Sequence, residues 1–281
     1  MTLQNKIDFA VIFSAKNANP NGDPLSGNRP RTTSDGLGEV SDVCLKRKIR
    51  NRLQELDNEI FVQSDENNKD GKHSLSERYE SFSSSLSKDE QRNKDIVAAK
   101  ACEKWIDVRS FGQVFAFKKS KDKDKEKDGD GVSIGVRGPV TIQSAFSTEP
   151  VIIESIQITK SVNSEPTDGG KSSDTMGSKH RVNKAVYVTY GSISPQLAEK
   201  TGFTEQDAEK IKEALITLFE GDESSARPSG SMNVQKVIWF KHTTKSGQYS
   251  SAKVHNSVHV DNDGNVTIMP LEGLMPEVIE V

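Results

Sequence analysis

A strand, a loop and a helix at the start of the chain constrain its fold more than any other stretch. Residues 7–13 (IDFAVIF) form a short, nearly continuous apolar run. Its length and β-branched content predict a buried central strand rather than a helix. A turn-rich loop follows, carrying Asn17, Asn19, Asn21 and Asn28, several prolines, and the arginines Arg29 and Arg31. Gly22 and Gly27 leave backbone there that another chain could approach closely. Beyond the loop, Leu45, Ile49, Leu53 and Leu56 recur at i, i+4, i+8 and i+11, which places them on one helical stripe. Ser41 or Asp42 stands where an N-cap belongs. The same helix bears Lys46, Arg47, Lys48, Arg50 and Arg52. A helical wheel sets Lys46 and Arg50 beside the stripe, turns Arg47 toward solvent, and leaves Arg52 to snorkel at the stripe's edge.

The rest of the chain extends this opening. Residues 57–93 are polar and Ser-rich, an excursion from the core, and 95–105 regain helix-forming apolar residues. Residues 106–117 are expected as a strand kinked at Gly112, and 118–131 as a solvated charged loop. A strand broken at Gly138-Pro139 is expected within 132–146, and another over 151–158. The Ser/Gly/Asp-rich stretch 161–173 reads as a loop, and 185–190 as a strand. Thr204, with Asp207 three residues on, caps the clearest helix, 204–220, whose stripe is Ala208, Ile211, Leu215, Leu218 and Phe219 and whose stop is Gly221. Residues 234–240 are a strand. A hairpin is expected between 254–260 and 266–269 across the turn at 261–264, with an irregular tail from 270. This order predicts an α+β fold, one domain over 1–281, with an antiparallel sheet and a split βαβ core of the ferredoxin-like or RRM-like kind.

Composition narrows the chemistry. With 281 residues, 33% hydrophobic and 28% charged, the chain is long enough for a sizeable core yet rich in surface. A net charge of −3 excludes a uniformly basic coat, so any polyanion site is a local patch. The loop and helix together suit a phosphodiester backbone, whose oxygens accept from Arg, Lys, Asn and backbone N–H alike. Cys44 and Cys102 read as reduced thiols. The absence of a basic leader and of any apolar run near ~20 residues predicts a cytoplasmic protein with no membrane span. No phosphate-binding loop or dinucleotide fingerprint is present, and no cofactor is expected. Asp261, Asp263, Asn265 and Glu272 mimic a calcium loop, but Val266 occupies the glycine position, so this is a hairpin turn. His255 and His259 lie too far apart on a strand to share a metal, and no metal site is expected. Two Lys-His pairs, 179–180 and 241–242, border strands and suit phosphate. Most of the few aromatics (Phe9, Phe13, Phe115, Phe117 and Phe219) sit in apolar runs, and the basic-aromatic strand that stacks bases is missing, so a backbone grip is expected.

Seven ordered motifs then carry a resemblance: NPNGDP at 19–24, NRPR at 28–31, SDVCLKRKIR at 41–50, DVRSFG at 107–112, VRGPV at 136–140, TMGSKH at 175–180 and LAEKTGF at 197–203. Together they resemble the CRISPR type I-C Cascade backbone subunit, the seventh CRISPR-associated family of the RAMP superfamily. VRGP at 136–139 looks more like the I-C branch than I-B. The resemblance implies an RRM-like palm, helical fingers (57–104) and a thumb (161–179). It further implies copies of the chain stacked head to tail along a CRISPR RNA, which present bases to target DNA. Other Cascade subunits and a recruited nuclease-helicase would be partners. On this reading the RNA-binding residues are Asn17, Asn19, Asn21, Asn28, Arg29, Arg31, Lys46, Arg47, Arg50, Arg109, Phe111, Arg137, Met176, Lys179 and His180, with Met176 as an apolar wedge. None is catalytic. The alternative is a metal-independent CRISPR-RNA-processing endoribonuclease using His180. The charged run at 118–130 and the tail after 261 depart from the family pattern.

Overall fold

The computed structural model describes residues 1–116, 133–159 and 176–281. The charged run at 118–131 lies outside the described residues, and of the expected thumb only 176–179 is described. Strand β1 (Ile7–Ala18) is buried along its first seven residues, as a strand covered on both faces requires. The loop after it folds into a small ribbon, β2 (Gly22–Asp23) with β3 (Arg29–Pro30), around a tight turn in which Asp23 accepts from the Leu25 amide. Next come β4 (Leu37–Val40) and α1 (Asp42–Glu55). Ser41 caps α1 through the Cys44 amide, and Leu45, Ile49 and Leu53 are buried as their spacing dictates.

Helices α2 (Leu75–Ser85), α3 (Lys88–Arg92) and α4 (Lys94–Lys104) follow, each started by a Ser or Asn side-chain cap. The first departure from expectation comes next. Residues 106–111 are not strand but a short helix, α5 (Ile106–Phe111), which ends at Gly112 with φ 82°. The reason is tertiary: Asp107 turns inward and its carboxylate accepts from the amides of Phe61 and Val62 at 2.8 and 3.1 Å. Only β5 (Gly112–Ala116) is extended, and it pairs with β6 (Ser133–Arg137). A Cβ on Gly138 would lie 2.3 Å from the Ser110 carbonyl, so this turn closes on α5 only because the residue is glycine. The single broken strand expected over 132–146 is therefore three elements in two sheets. β7 (Val140–Ile142) and β8 (Ala145–Pro150) leave β6 behind and join the main sheet, as does β9 (Ile153–Thr159).

The 18-residue strand β10 (Met176–Ile193) pairs with β1 along its second half and with β9 along its first. Helices α6 (Pro195–Thr201) and α7 (Glu205–Ile216) come next, α7 with the expected reciprocal Thr204–Asp207 box. Strand β11 (Met232–Lys241) flanks β1 on its other side. Residues 251–255 are not extended but form α8 (Ser251–His255), because Ser250 caps them through the Lys253 amide. The expected hairpin is shortened to β12 (Val258–Val260) and β13 (Val266–Ile268). The tail is not irregular throughout: β14 (Glu277–Glu280) pairs with β11 at the sheet edge.

Among the described residues the main sheet is antiparallel and eight-stranded, ordered β14-β11-β1-β10-β8-β4 with β7 and β9 also on β10. Alternation along β1 sends Phe9, Val11 and Phe13 to one face, where α1, α6 and α7 complete the core with Leu45, Ile49, Phe203, Ile211 and Leu215. Ala10 and Ile12 face the opposite side, covered by α8 and the β12–β13 hairpin through Val254 and Val258. A third cluster, Phe61, Phe82, Trp105, Phe115 and Ile134, gives the excursion after α1 a core of its own.

Candidate functional site

The loop between β1 and β4 is held in shape by its asparagines. Asn19 is buried and donates to the Asn28 carbonyl at 2.7 Å. Asn21 accepts from both the amide and the hydroxyl of Ser41 at 3.0 Å, which ties the loop to the start of α1. Asn17 and Asn28 adopt left-handed φ of 53° and 62° and face solvent. Arg31 reaches Asp23 at 3.5 Å, and Arg29 projects from the ribbon and donates to Ser155 Oγ on β9 at 3.1 Å. Ser155 Oγ lies 2.9 Å from Nδ1 of His180 on β10. Arg29, Ser155 and His180 thus form a chain across two strands and a loop.

Strand alternation separates Lys179 from its neighbour His180, so the two face opposite sides of the β9–β10 ribbon. Lys179 donates to the Ser225 carbonyl in the segment 222–231, whose Ala226 carbonyl accepts from the Asn19 amide at 2.9 Å. Met176, 65% exposed, ends the described part of the ribbon beside Gln157. The other Lys-His pair lies elsewhere and inward. His242 is buried with Nε2 2.8 Å from Asp8 Oδ2, while its Nδ1 accepts from the Gln248 amide. The proton is therefore on Nε2. Lys241 is engaged by Glu205 at 2.8 Å.

The cations of α1 are placed differently from what the helical wheel suggests. Arg47 is not turned to solvent but donates to the Val62 carbonyl at 2.7 Å. Arg50 meets the buried Asp107 at 3.0 Å and stacks 5.1 Å from the Phe111 ring. Lys48, 4% exposed, is paired with Asp222, which also holds Arg227 at 2.8 Å. Burial pushes the Lys48 amine below its ordinary range, and Asp222 restores part of that shift. Arg52 bridges Thr217, Glu55 and Glu220 at the stripe's edge. Arg109 forms a fork with Asp207 at 3.1 and 2.7 Å. Burial opposes the Asp207 charge, yet Arg109 and the Thr204 cap hold its carboxyl below the usual range. Lys46 pairs with Asp42 at 3.0 Å near solvent, and Arg137 is exposed on β6.

The structure therefore gathers Asn19, Asn21, Asn28, Arg29, Arg31, Lys179 and His180 into one polar neighbourhood, leaves Asn17 exposed near the end of β1, and holds Arg47, Arg50, Arg109 and Phe111 half-buried between elements. Ser155 and the segment 222–231 belong to that neighbourhood and were not singled out from sequence. No local pattern marks a serine whose partners lie 126 and 25 residues away. Among the described residues no cluster of His, Cys, Asp and Glu is placed to hold a metal ion, and no helix is long and apolar enough to cross a membrane.

A large antiparallel sheet backed by helices, with a polar and cationic loop stitched to a projecting ribbon, defines a mixed α+β class of protein. The sequence profile described as CRISPR-associated protein Cas7 matches residues 5–272, and the chain belongs to the Cas7 family. A curated Cas7 of Haloferax volcanii is 22% identical over 291 aligned positions, covering all of this chain and 83% of that one. In solved structures, a chain of a "CRISPR RNA-guided surveillance complex, pre-nicking" superposes with TM-score 0.51 at 16% identity, covering 84% of this chain and 78% of the other. A chain of another "CRISPR RNA-guided surveillance complex" reaches TM-score 0.46 at 16% identity over 92% and 77%.

Proposed function

We propose that this protein is the RNA-gripping backbone subunit of a type I-C Cascade surveillance complex. Several copies stack head to tail along the spacer of a CRISPR RNA, with an RRM-like palm holding the sugar-phosphate backbone. The bases stay free to pair with target DNA, so sequence is read by pairing and not by the protein. Other Cascade subunits and a recruited nuclease-helicase complete the assembly. Family membership supports the setting. The observation that carries the grip is the Arg29–Ser155–His180 chain, which ties a polar loop to the base of a projecting ribbon.

In this reading Asn17, Asn28, Arg29, Arg31, Lys46, Arg137, Lys179 and His180 reach phosphate and sugar. Asn19, Asn21, Arg47, Arg50, Arg109 and Phe111 act one step back by fixing the surfaces that carry them. Met176 serves as the apolar wedge of a thumb whose base is the β9–β10 ribbon. In this reading the protein binds and does not cut: among the described residues His180 has Ser155 as its hydrogen-bond neighbour and no paired carboxylate of the kind that tunes a general base.

Retention of a labelled single-stranded RNA by the purified chain tests this. Arg29→Ala with Arg31→Ala should weaken retention equally for unrelated sequences and lower its salt dependence by about 0.7 per phosphate no longer neutralised. RNA cleavage by the parent complex that disappears in His180→Ala, with binding intact, would replace the binding role with the endoribonuclease.

A further inference from the structure

Strand β14 closes one end of the main sheet and leaves its outer edge bare. The Val281 amide donates to the Gln235 carbonyl at 3.1 Å, and Glu280 stands opposite Lys236. Residues 281 and 235 are therefore a hydrogen-bonded antiparallel pair, and alternation makes Ile279–Val237 and Glu277–Trp239 the next two. The backbone N–H and C=O of Val278 and Glu280 consequently point away from β11. Among the described residues nothing pairs with them.

The surface beside that edge is shaped. Between β14 and α7 lies a cleft of about 550 Å³, with Ile216 and Ile279 among its walls together with Glu209, Glu213 and Glu277. Its two lysines are committed: Lys212 binds Glu209 and Glu277 at 2.8 and 3.0 Å, and Lys210 donates to Asn58 at 2.7 Å. Glu213 is left without a side-chain partner among the described residues. Val278 turns to the other face, opposite Ile238, and with Met275 and Val281 it is exposed. Short edge strands with a charge at each end often serve to keep other chains away. Guarding alone does not account for apolar side chains left exposed along 275–281, beside a cleft with apolar walls.

We propose that the outer edge of β14 takes an extended segment of another protein, added antiparallel as one more strand of the main sheet. Main-chain bonds to Val278 and Glu280 set its register, and the cleft selects its side chains. A residue opposite Glu277 points into the cleft, where a Lys or Arg meets Glu277 and Glu213. One opposite Ile279 lies over the apolar wall. On the outer face, a residue opposite Val278 is apolar and one opposite Glu280 is basic. The partner therefore reads basic, apolar, apolar, basic. β11 shows the same complement on the inner edge, with Lys236 on Glu280 at 2.6 Å, Val237 opposite Ile279 and Ile238 opposite Val278. A second β14 brings only further carboxylates to this acidic rim, so a second copy of this chain is the poorer fit. β11 and β1 separate the edge from β10 and its ribbon, and the inference does not depend on the nucleic-acid reading.

The test titrates the full-length chain into a fluorescently labelled peptide, Thr-Ser-Lys-Val-Ile-Lys-Ser-Thr, and follows anisotropy. The peptide should bind, and the same peptide with glutamates in place of its lysines should not. Only one edge of an added strand pairs. Methylating the backbone nitrogens of the first lysine and the isoleucine should therefore abolish binding, and methylating those of the valine and the second lysine should leave it. Glu213→Lys should weaken binding about fivefold. Val278→Pro removes an outward N–H and no bond of the ladder to β11, and should abolish binding. Indifference to which set of nitrogens is methylated, or equal binding of the lysine and glutamate peptides, overturns the proposal. A parent chain that binds neither peptide does the same. Should Val278→Pro lower the unfolding temperature, the methylated peptides and Glu213→Lys decide alone. Self-association of the parent that the lysine peptide competes away assigns the edge to a second copy and overturns the proposal as well.

Discussion

Helix α1 and the end of strand β1 carry the same kind of charge and hold it in opposite ways. On α1, Arg47, Lys48, Arg50 and Arg52 each find a fixed partner inside the molecule, three of them a carboxylate and one a carbonyl. On β1 and its neighbour β10, Lys16 and Lys184 face each other in solvent. The helix is the more basic segment, yet its cations act as joints between layers. At the strand end Lys16 and Lys184 have, among the described residues, no side-chain partner of this kind. Charge density along a sequence therefore measures what a segment must neutralise, and the fold decides whether a ligand or a neighbour does so.

The comparison breaks first, if it breaks, at Asp107. Replacing it with Ala leaves the half-buried Arg50 without its carboxylate and the amides of Phe61 and Val62 unsatisfied. The expected cost is about 3–5 kcal/mol in urea unfolding. A cost under about 1 kcal/mol would mean that Arg50 is free to serve a ligand. Lys48→Ala should cost less, about 2 kcal/mol, because Asp222 keeps Arg227. A stability unchanged by that substitution would remove the joint from this part of α1.

A third measurement follows stability against pH on the opposite face of the sheet. Burial depresses His255 below its ordinary 6.5, with Asp8 and the Gly191 carbonyl opposing the shift in part. Its neutral form is the folded one, so stability is full above about pH 6.5 and falls as the pH drops through the folded value. Asp8 is also depressed: burial works against its charge, and hydrogen bonds from His242, Ser251 and Lys6 together outweigh it. Its contribution is present above about pH 3.8 and disappears below. His255→Gln should flatten the first fall and leave the second. If it flattens neither, the outer cover is not held through this cluster. The smallest effect is expected from Lys184→Gln, which should stabilise the free protein by a few tenths of a kcal/mol by removing the cross-strand repulsion. A destabilisation would show that the opposed lysines are not in conflict.

Much of the fold was legible because its signals are local. The apolar run of β1, the stripe and Ser41 cap of α1, and the Thr204–Asp207 box of α7 are each written within a few residues. The segment 106–111 was not, because its helix is six residues long and its decisive residue, Asp107, answers to backbone 45 and 46 residues earlier. β14 was hidden for a different reason: an edge strand with a charged residue at each end lacks the apolar pattern that marks a central one. In the candidate site the asparagine-rich loop announced itself by composition. The roles of the α1 cations did not, since a helical wheel gives direction and not what lies opposite. For Lys48 that is Asp222, 174 residues away. Lys16 and Lys184 carry no signal at all until strand register is known.

The length of β10 has a mechanical consequence. At about 3.3 Å per residue its 18 residues make a continuous spar of about 60 Å, part of it in the projecting ribbon and part beside β1 at the centre of the sheet. With no break between the two parts, a pull along the ribbon loads the β1–β10 hydrogen bonds side by side, in shear, instead of peeling them one at a time. Torque applied at Met176 is delivered to Tyr187, which stacks on Phe13 at 5.3 Å in the core. The ribbon is thus a handle welded to the frame, and whatever twists it must twist the sheet.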